Sequence, residues 1–289
     1  MTGTGAPAPW TASQWRSLLK RHHIRPDKRL GQNFLFDSRA LQSVVDAAEL
    51  SRDETVLEVG AGIGSLTRRL ARSAGAIVAV EFDRRLLPAL MDALHDVENV
   101  DLVSGDFLTL DLGQVMPADD YCVVANIPYN ITSAVIRKLM ESDHPPRRIV
   151  LTVQAEVAAR IVAGPGAMSL LALGVQLYAI PKIVARIPAA AFHPKPKVDS
   201  AVVRMDRSQS AIAPELAEAV FRLARAGFGQ KRKQLHNSLA HGLGLPVDQV
   251  ESLLASAGIT SERRPQSVSV DEWRNLGQAY LADGSSAQT

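Results

Sequence analysis

The stretch Val56-Leu57-Glu58-Val59-Gly60-Ala61-Gly62-Ile63-Gly64-Ser65 reads as a strand, a glycine turn and the start of a helix. Glycine lets the backbone turn tightly and leaves amides open to a ligand that a Cβ would block. Dinucleotide enzymes use a similar turn, although the spacing here is G-x-G-x-G and lacks the G-x-G-x-x-G fingerprint. Short apolar runs at Ala76–Val80, Asn99–Val103, Tyr121–Ala125 and Ile149–Val153 join Thr55–Val59, with helix-like segments at Ser65–Arg72, Arg84–Leu94 and Ser133–Met140 between them. Strands alternating with helices predict right-handed crossovers and a largely parallel sheet covered on both faces. Lys182–Ile187 and Val198–Met205 follow as two more strands, close enough in sequence to pair as an antiparallel edge. The predicted fold is a seven-stranded α/β sheet.

Asp206 to Pro214 is polar and holds a proline, which places a boundary there. Beyond it Pro214–Ala226, Lys231–Ala240, Val247–Ala257 and Val270–Leu281 carry helical spacing, punctuated by Gly227, Gly229, Gly242, Gly244 and Pro246. The expected organisation is an N-terminal extension over 1–28, an α/β domain over 29–207 and a small helical domain over 208–289. The first nine residues, rich in Gly, Pro and Thr, are expected to be disordered and show no signal-peptide pattern. With 46% hydrophobic residues the chain can bury a sizeable core. The charge-free run Ile161–Pro181 is broken by Gly164-Pro165-Gly166 and falls short of the roughly 20 apolar residues of a membrane span. It reads as a buried helix from Met168 to Ile180, and no membrane partner is expected. The single cysteine, Cys122, allows no internal disulfide and fits a reducing compartment. Set among Tyr121, Val123 and Val124, it reads as a buried, inert thiol.

Net charge is +2, unevenly spread. Residues 1–36 carry +5, residues 37–180 carry −7, residues 181–210 carry +4, and the remainder balances. An acidic body with basic flanks suits a catalytic centre with a cationic rim that attracts phosphate backbones.

Glu81 ends the second predicted strand, 21 positions after Gly60. A carboxylate there can accept both hydroxyls of a ribose, which an NAD site would also use. Gly105-Asp106-Phe107 closes the third strand, putting a carboxylate where an adenine amine could donate to it, and Asn126-Ile127-Pro128-Tyr129 closes the fourth. Ligands of open α/β sheets lie outside the carboxyl ends of the strands. These consecutive strand ends outline an adenosine-bearing ligand that needs no pyrophosphate. Taken singly, Asp106 could cap the next helix and Glu81 could be solvated.

The Asn126–Tyr129 motif suits chemistry on an adenine amine. That nitrogen is a poor nucleophile because its lone pair is delocalised into the ring. Acceptors aimed at its protons, here the Asn126 side-chain oxygen and the Ile127 carbonyl, turn the lone pair toward an electrophile. Pro128 fixes its own φ and confines Ile127 to extended geometry. Tyr129 offers the base a flat face, worth about 1–3 kcal/mol by stacking. If the electrophile is a sulfonium methyl, positioning supplies most of the rate. In Phe192-His193-Pro194-Lys195-Pro196-Lys197-Val198-Asp199-Ser200 the alternating prolines stiffen a loop, and Phe192 is expected to be exposed as the other wall of a base pocket. His193 reads as structural, His22-His23 as an exposed pair, and no Cys/His spacing suggests a metal.

With these residues in view, the chain resembles the small-subunit (16S) ribosomal RNA dimethyladenosine transferases. Leu30-Gly31-Gln32-Asn33-Phe34-Leu35 is similar to that family's opening motif, and Gly60–Gly64, Glu81, Asp106 and Asn126–Tyr129 match its later motifs in order. Phe192–Ser200 with Ala201-Val202-Val203-Arg204 resembles its proline-rich loop, and Lys231–Leu239 its C-terminal basic helix. Ala61 stands where the family often has proline. The resemblance, from about Arg29 to Tyr280, implies a Rossmann-like class I methyltransferase sheet with a small helical C-terminal domain. It implies S-adenosyl-L-methionine as cofactor, held by Asn33, Leu35, Gly60, Gly62, Glu81, Asp106 and Asn126, with Asn126, Ile127, Pro128, Tyr129 and Phe192 at the catalytic pocket. Lys195, Lys197, Arg225, Lys231, Arg232 and Lys233 would contact RNA. The implied activity is dimethylation of two adjacent adenosines in the 3′-terminal hairpin of small-subunit rRNA within an immature subunit, in the cytoplasm, by a monomer. Competing readings are a macrolide-resistance methyltransferase of large-subunit rRNA, a DNA adenine methyltransferase, a non-catalytic RNA-binding assembly factor and an NAD oxidoreductase. The proline-rich loop and basic helix weigh against the first, and the intact Asn126–Tyr129 motif against the assembly factor.

Overall fold

The computed structural model describes residues 9–116, 120–209, 212–230 and 232–284. The expectation of a disordered start falls on residues 1–8, outside the described residues. The chain divides into two compact units, Met1–Ala158 with Pro181–Arg207, and Ala159–Ile180 with Ser208–Thr289.

In the first unit, β1 (Thr55–Val59), β2 (Ala76–Glu81), β3 (Val100–Ser104), β4 (Tyr121–Ala125) and β5 (Arg148–Gln154) run parallel to their neighbours. β6 (Ala179–Ile187) and β7 (Ser200–Arg207) complete a seven-stranded sheet of order β3-β2-β1-β4-β5-β7-β6, in which β7 runs antiparallel to β5. The expected α/β sheet is thus present. The order reverses between β1 and β4, the switch point at which such sheets open a crevice for ligands. β1 lies centrally, and Val56, Leu57, Glu58 and Val59 are all buried. The sheet is covered by the helix Ser38–Ala48, whose apolar positions Ala40, Leu41, Val44, Val45 and Ala48 share one core with Val56, Ile77, Val124 and Val150. Cys122 is buried in that core, and burial pushes its thiol up to about 11.

The N-terminal extension contains a helix, Ala12–Arg21, closed at its start by a Thr11–Gln14 capping box. His22 differs from the expected exposed pair: its Nε2 lies 2.7 Å from Asp92 Oδ2.

The second unit is helical. Pro214–Gly229, Leu235–Leu243, Val247–Ser256 and Val270–Ala282 enclose a core that includes Trp273, Leu223, Leu235, Leu254 and Tyr280. Met168, Ala172, Leu173 and Leu177 belong to the same core, so 159–180 groups with these helices, whereas the sequence pattern places it in the α/β domain over 29–207. The expected buried helix from Met168 to Ile180 is shorter, Leu170–Gln176, because the chain then extends into β6. No helix of the described residues is long and apolar enough to cross a membrane.

Candidate functional site

Because β3, β2, β1 and β4 are parallel neighbours, their carboxyl ends meet along one border of the sheet. A cavity opens there, lined by Gly60 and Gly62 after β1, Glu81 at the end of β2, Asp106 after β3, and Asn126, Ile127, Pro128 and Tyr129 after β4. Asn33 and Leu35 line it from the N-terminal side. Every cofactor candidate named from the sequence therefore borders one space, together with the Asn126–Tyr129 motif.

Gly60 and Gly62 both take positive φ, +79° and +62°. A Cβ at Gly60 would meet nothing within 4 Å, whereas one at Gly62 would come within 3.2 Å of the Phe34 ring. Gly60 thus leaves room for a ligand, and Gly62 lets an aromatic ring close against the turn. The Gly62 amide donates to Glu81 Oε2 at 2.6 Å, and the Asp83 amide donates to Oε1 at 2.7 Å. Burial raises the Glu81 carboxyl above the ordinary range, while these two amides pull it back. Asp106 is exposed and lines the cavity, and its Oδ1 accepts from the Leu108 amide at 2.9 Å within a turn; the next helix, Leu112–Val115, is capped by Asp111 instead.

Asn126 donates from Nδ2 to the Asn33 carbonyl at 3.2 Å. That bond fixes the amide's orientation and leaves Oδ1 as an acceptor. Pro128 has φ −55° and ψ 135° and leads into the short turn Tyr129–Ile131, and its ring disfavours the helical region for Ile127. Tyr129 Oη lies 2.7 Å from Ser200 Oγ, at the start of β7, which anchors the tip of the ring.

Phe192 is a correction. It is only 5% exposed and packs with Leu35 in the sheet core, and it is not part of the cavity wall. The reason is a two-residue antiparallel ladder, Phe34–Leu35 with Phe192–His193, which turns the ring inward. The loop's two lysines, Lys195 and Lys197, are exposed. In the second unit Arg225, Arg232 and Lys233 are also exposed, and Lys231 lies outside the described residues.

Three residues at or behind the site were not singled out from the sequence. Glu58 lines the cavity, is 1% exposed, and its Oε2 has no hydrogen-bond partner; burial pushes its carboxyl up to about 8. An acidic residue inside an otherwise apolar strand was the available signal. Ser200 gave none. Lys138, on the helix Thr132–Met140, donates from Nζ to the Leu108 carbonyl at 3.1 Å and to the Leu110 carbonyl, with Nζ 5.6 Å from the Phe107 ring centroid. It ties the Asp106 loop to the helix that follows the Asn126–Tyr129 motif. Lys138→Met is expected to raise KM for a ligand gripped by Asp106 about fivefold, the equivalent of roughly 1 kcal/mol for a lost bond to carbonyls. kcat should stay within about twofold, since Lys138 touches the lining residues Phe107 and Leu108 from behind and does not itself border the cavity. Steady-state kinetics of Lys138→Met and Lys138→Arg check this, with arginine recovering most of the loss.

Comparison with known proteins identifies the family. The family model described as ribosomal RNA adenine dimethylase matches residues 24–281. The chain is 41% identical over 280 residues to the ribosomal RNA small subunit methyltransferase A of Dehalococcoides mccartyi (strain CBDB1), covering 96% of each chain. It is 39% identical over 282 residues to the protein of that name from Geobacillus thermodenitrificans, covering 94% of this chain and 96% of the relative. Among solved structures, the 23S rRNA methyltransferase ErmE has a TM-score of 0.69 at 29% identity, over 86% of this chain and 99% of that one. A dimethyladenosine transferase from Plasmodium falciparum has a TM-score of 0.75 at 24% identity, over 87% of this chain and 98% of that one, and shares the fold. A match over most of the length, with the cavity motifs in order, places this chain in the ribosomal RNA adenine dimethylase family.

Proposed function

We propose that this chain dimethylates the exocyclic N6 amine of two adjacent adenosines in the 3′-terminal hairpin of small-subunit (16S) rRNA. The methyl donor is S-adenosyl-L-methionine, the substrate an immature ribosomal subunit, and the enzyme acts in the cytoplasm as a monomer. One observation carries the reading: Asn126 and Tyr129 border the same cavity as Gly60, Glu81 and Asp106. The names of the relatives over nearly the whole chain favour the small subunit over the large one.

The cavity suits this cofactor. Gly60 leaves open space, Glu81 and Asp106 supply carboxylates, and a buried, unpartnered Glu58 oxygen belongs to the lining. Glu81 would hold the ribose hydroxyls and Asp106 the adenine amine, with Asn33, Leu35, Gly60, Gly62 and Asn126 completing the grip. Bound there, the cofactor supplies an electrophilic sulfonium methyl. The chain's own work is done at the target base. Asn126 Oδ1 and the Ile127 carbonyl accept hydrogen bonds from the amine and aim its lone pair, and Tyr129 carries the ring face. Phe192, buried behind Leu35, acts by holding the Leu35 side of the site in place.

The helical domain and the exposed Lys195, Lys197, Arg225, Arg232 and Lys233, with Lys231, would take RNA phosphates. The test is incubation with labelled S-adenosylmethionine and undermethylated small subunits, followed by primer extension. Stops at two adjacent adenosines of the 3′-terminal hairpin are expected, and label confined to large-subunit rRNA would refute the assignment. Glu81→Ala is expected to weaken S-adenosylmethionine binding by about tenfold or more, as lost charge-assisted hydrogen bonds do. Equilibrium dialysis measures it, and an unchanged dissociation constant removes the ribose role.

A further inference from the structure

The helix Ala12–Arg21 precedes the residues matched by the family model, which begin at 24, and none of its residues lines the cavity. It is nonetheless built into the cavity wall from behind. Trp15, Leu18 and Leu19 are buried in one cluster with Phe34, Phe36, Ile63 and Leu86. Trp15 stacks on Phe36 at 6.3 Å between centroids, and Phe36 stacks on Phe34 at 6.1 Å with planes only 6° apart. Phe34 and Leu86 are themselves lining residues, and the Phe34 ring rests against Gly62, whose amide holds Glu81. A continuous stack of rings therefore runs from the helix to the glycine turn.

The helix is also pinned toward its carboxyl end. Arg21 Nη2 lies 2.8 Å and His22 Nε2 2.7 Å from Asp92 Oδ2, just before the end of the helix Leu87–Ala93. Just ahead of it, Trp10 covers the guanidinium of Arg68 at 5.1 Å, and Arg68 Nη2 is bonded to Asp96 Oδ2 at 3.0 Å. Such packing costs nothing in the reaction itself; it limits how far Phe34 can swing from Gly62.

We infer that the helix Ala12–Arg21 is a positioning brace for the cofactor wall, with Trp15 as the residue through which it acts. The inference rests on the reading of the cavity as the S-adenosylmethionine site. A brace that favours the binding-competent wall raises cofactor affinity without touching the chemical step. Binding and docking of the helix are reciprocally coupled, so cofactor must in turn steady the helix.

Two measurements on the full chain test this. In the wild type, hydrogen exchange with and without S-adenosylmethionine is expected to show slower exchange at the amides of Ala12–Arg21, although they lie outside the cavity. Trp15→Leu, which empties part of the ring stack, is expected to raise the cofactor's KM at least fivefold with kcat within about twofold. Trp15→Phe, which restores a ring, should recover most of it. Unchanged exchange in the helix overturns the brace even if Trp15→Leu fails to fold. A folded Trp15→Leu with wild-type KM overturns it as well. A wild type that binds no S-adenosylmethionine overturns the brace together with the reading beneath it, and is recognised before any variant is made.

Discussion

Asn126→Ala is expected to lower kcat for methyl transfer by about 10²–10³, the usual cost of removing one aligned hydrogen-bonding group from a reacting centre. The cofactor's dissociation constant should stay within about threefold of the wild type. The difference follows from where the atoms are. Nδ2 is committed to the Asn33 carbonyl, so Oδ1 is the atom presented to a base, and alanine removes it. Glu81 keeps its bonds from the Gly62 and Asp83 amides, and Asp106 keeps its own turn, so most of the grip on the donor survives the loss of the Asn126 share. Single-turnover transfer to undermethylated subunits and equilibrium dialysis measure the two halves. A variant with wild-type turnover would take Asn126 out of the mechanism, and one that loses cofactor binding in step with turnover would make it a cofactor ligand only.

The reading of the sheet from sequence succeeded because a parallel α/β sheet advertises itself. Its central strands are buried on both faces and appear as short apolar runs, as in Tyr121–Ala125, all five residues of which are buried. The strand Ala179–Ile187 began three residues earlier than expected, inside an uncharged run that had no polar residue to mark where helix gave way to strand. The helix Ala12–Arg21 went unread although its signals were present. Thr11 and Gln14 stand at capping-box spacing, and Trp15, Leu18 and Leu19 fall on one face. The Gly- and Pro-rich tail before it drew the whole extension into one category.

Site residues at strand ends were legible for a related reason. Parallel neighbours bring their carboxyl ends to one border, so order along the chain becomes proximity in space. Phe192 escaped because its burial depends on pairing with Leu35, a partner far away in sequence that leaves no local trace. The same holds for Ser200 beneath Tyr129 and for Lys138, whose acceptors are backbone carbonyls of a distant loop. Local pattern reports which face of a strand is buried; it does not report which loop closes over which.

Glu58→Gln is expected to change the pH dependence of stability more than any other single replacement at the site. Glu58 sits in the central strand at 1% exposure with Oε2 unpartnered, and burial moves its carboxyl from 4.5 up to about 8. The Thr67 hydroxyl, near the carboxyl although not aligned for a full hydrogen bond, opposes the rise, and the nearby Glu81 carboxyl adds to it. The folded chain therefore keeps this proton while the unfolded chain gives it up. The contribution is fully present below about pH 4.5 and is lost as the pH climbs through 8. Each tenfold difference in proton affinity is worth about 1.4 kcal/mol, so the wild type should lose on the order of 4 kcal/mol across that window. Glutamine keeps the shape, carries no titrating proton and has no such slope. Urea unfolding of both chains from pH 5 to pH 8.5 measures the difference, which should move steadily in favour of Glu58→Gln as the pH rises. A difference that stays constant would mean that the carboxylate is already charged in the folded chain, with the Thr67 hydroxyl or a water satisfying Oε2.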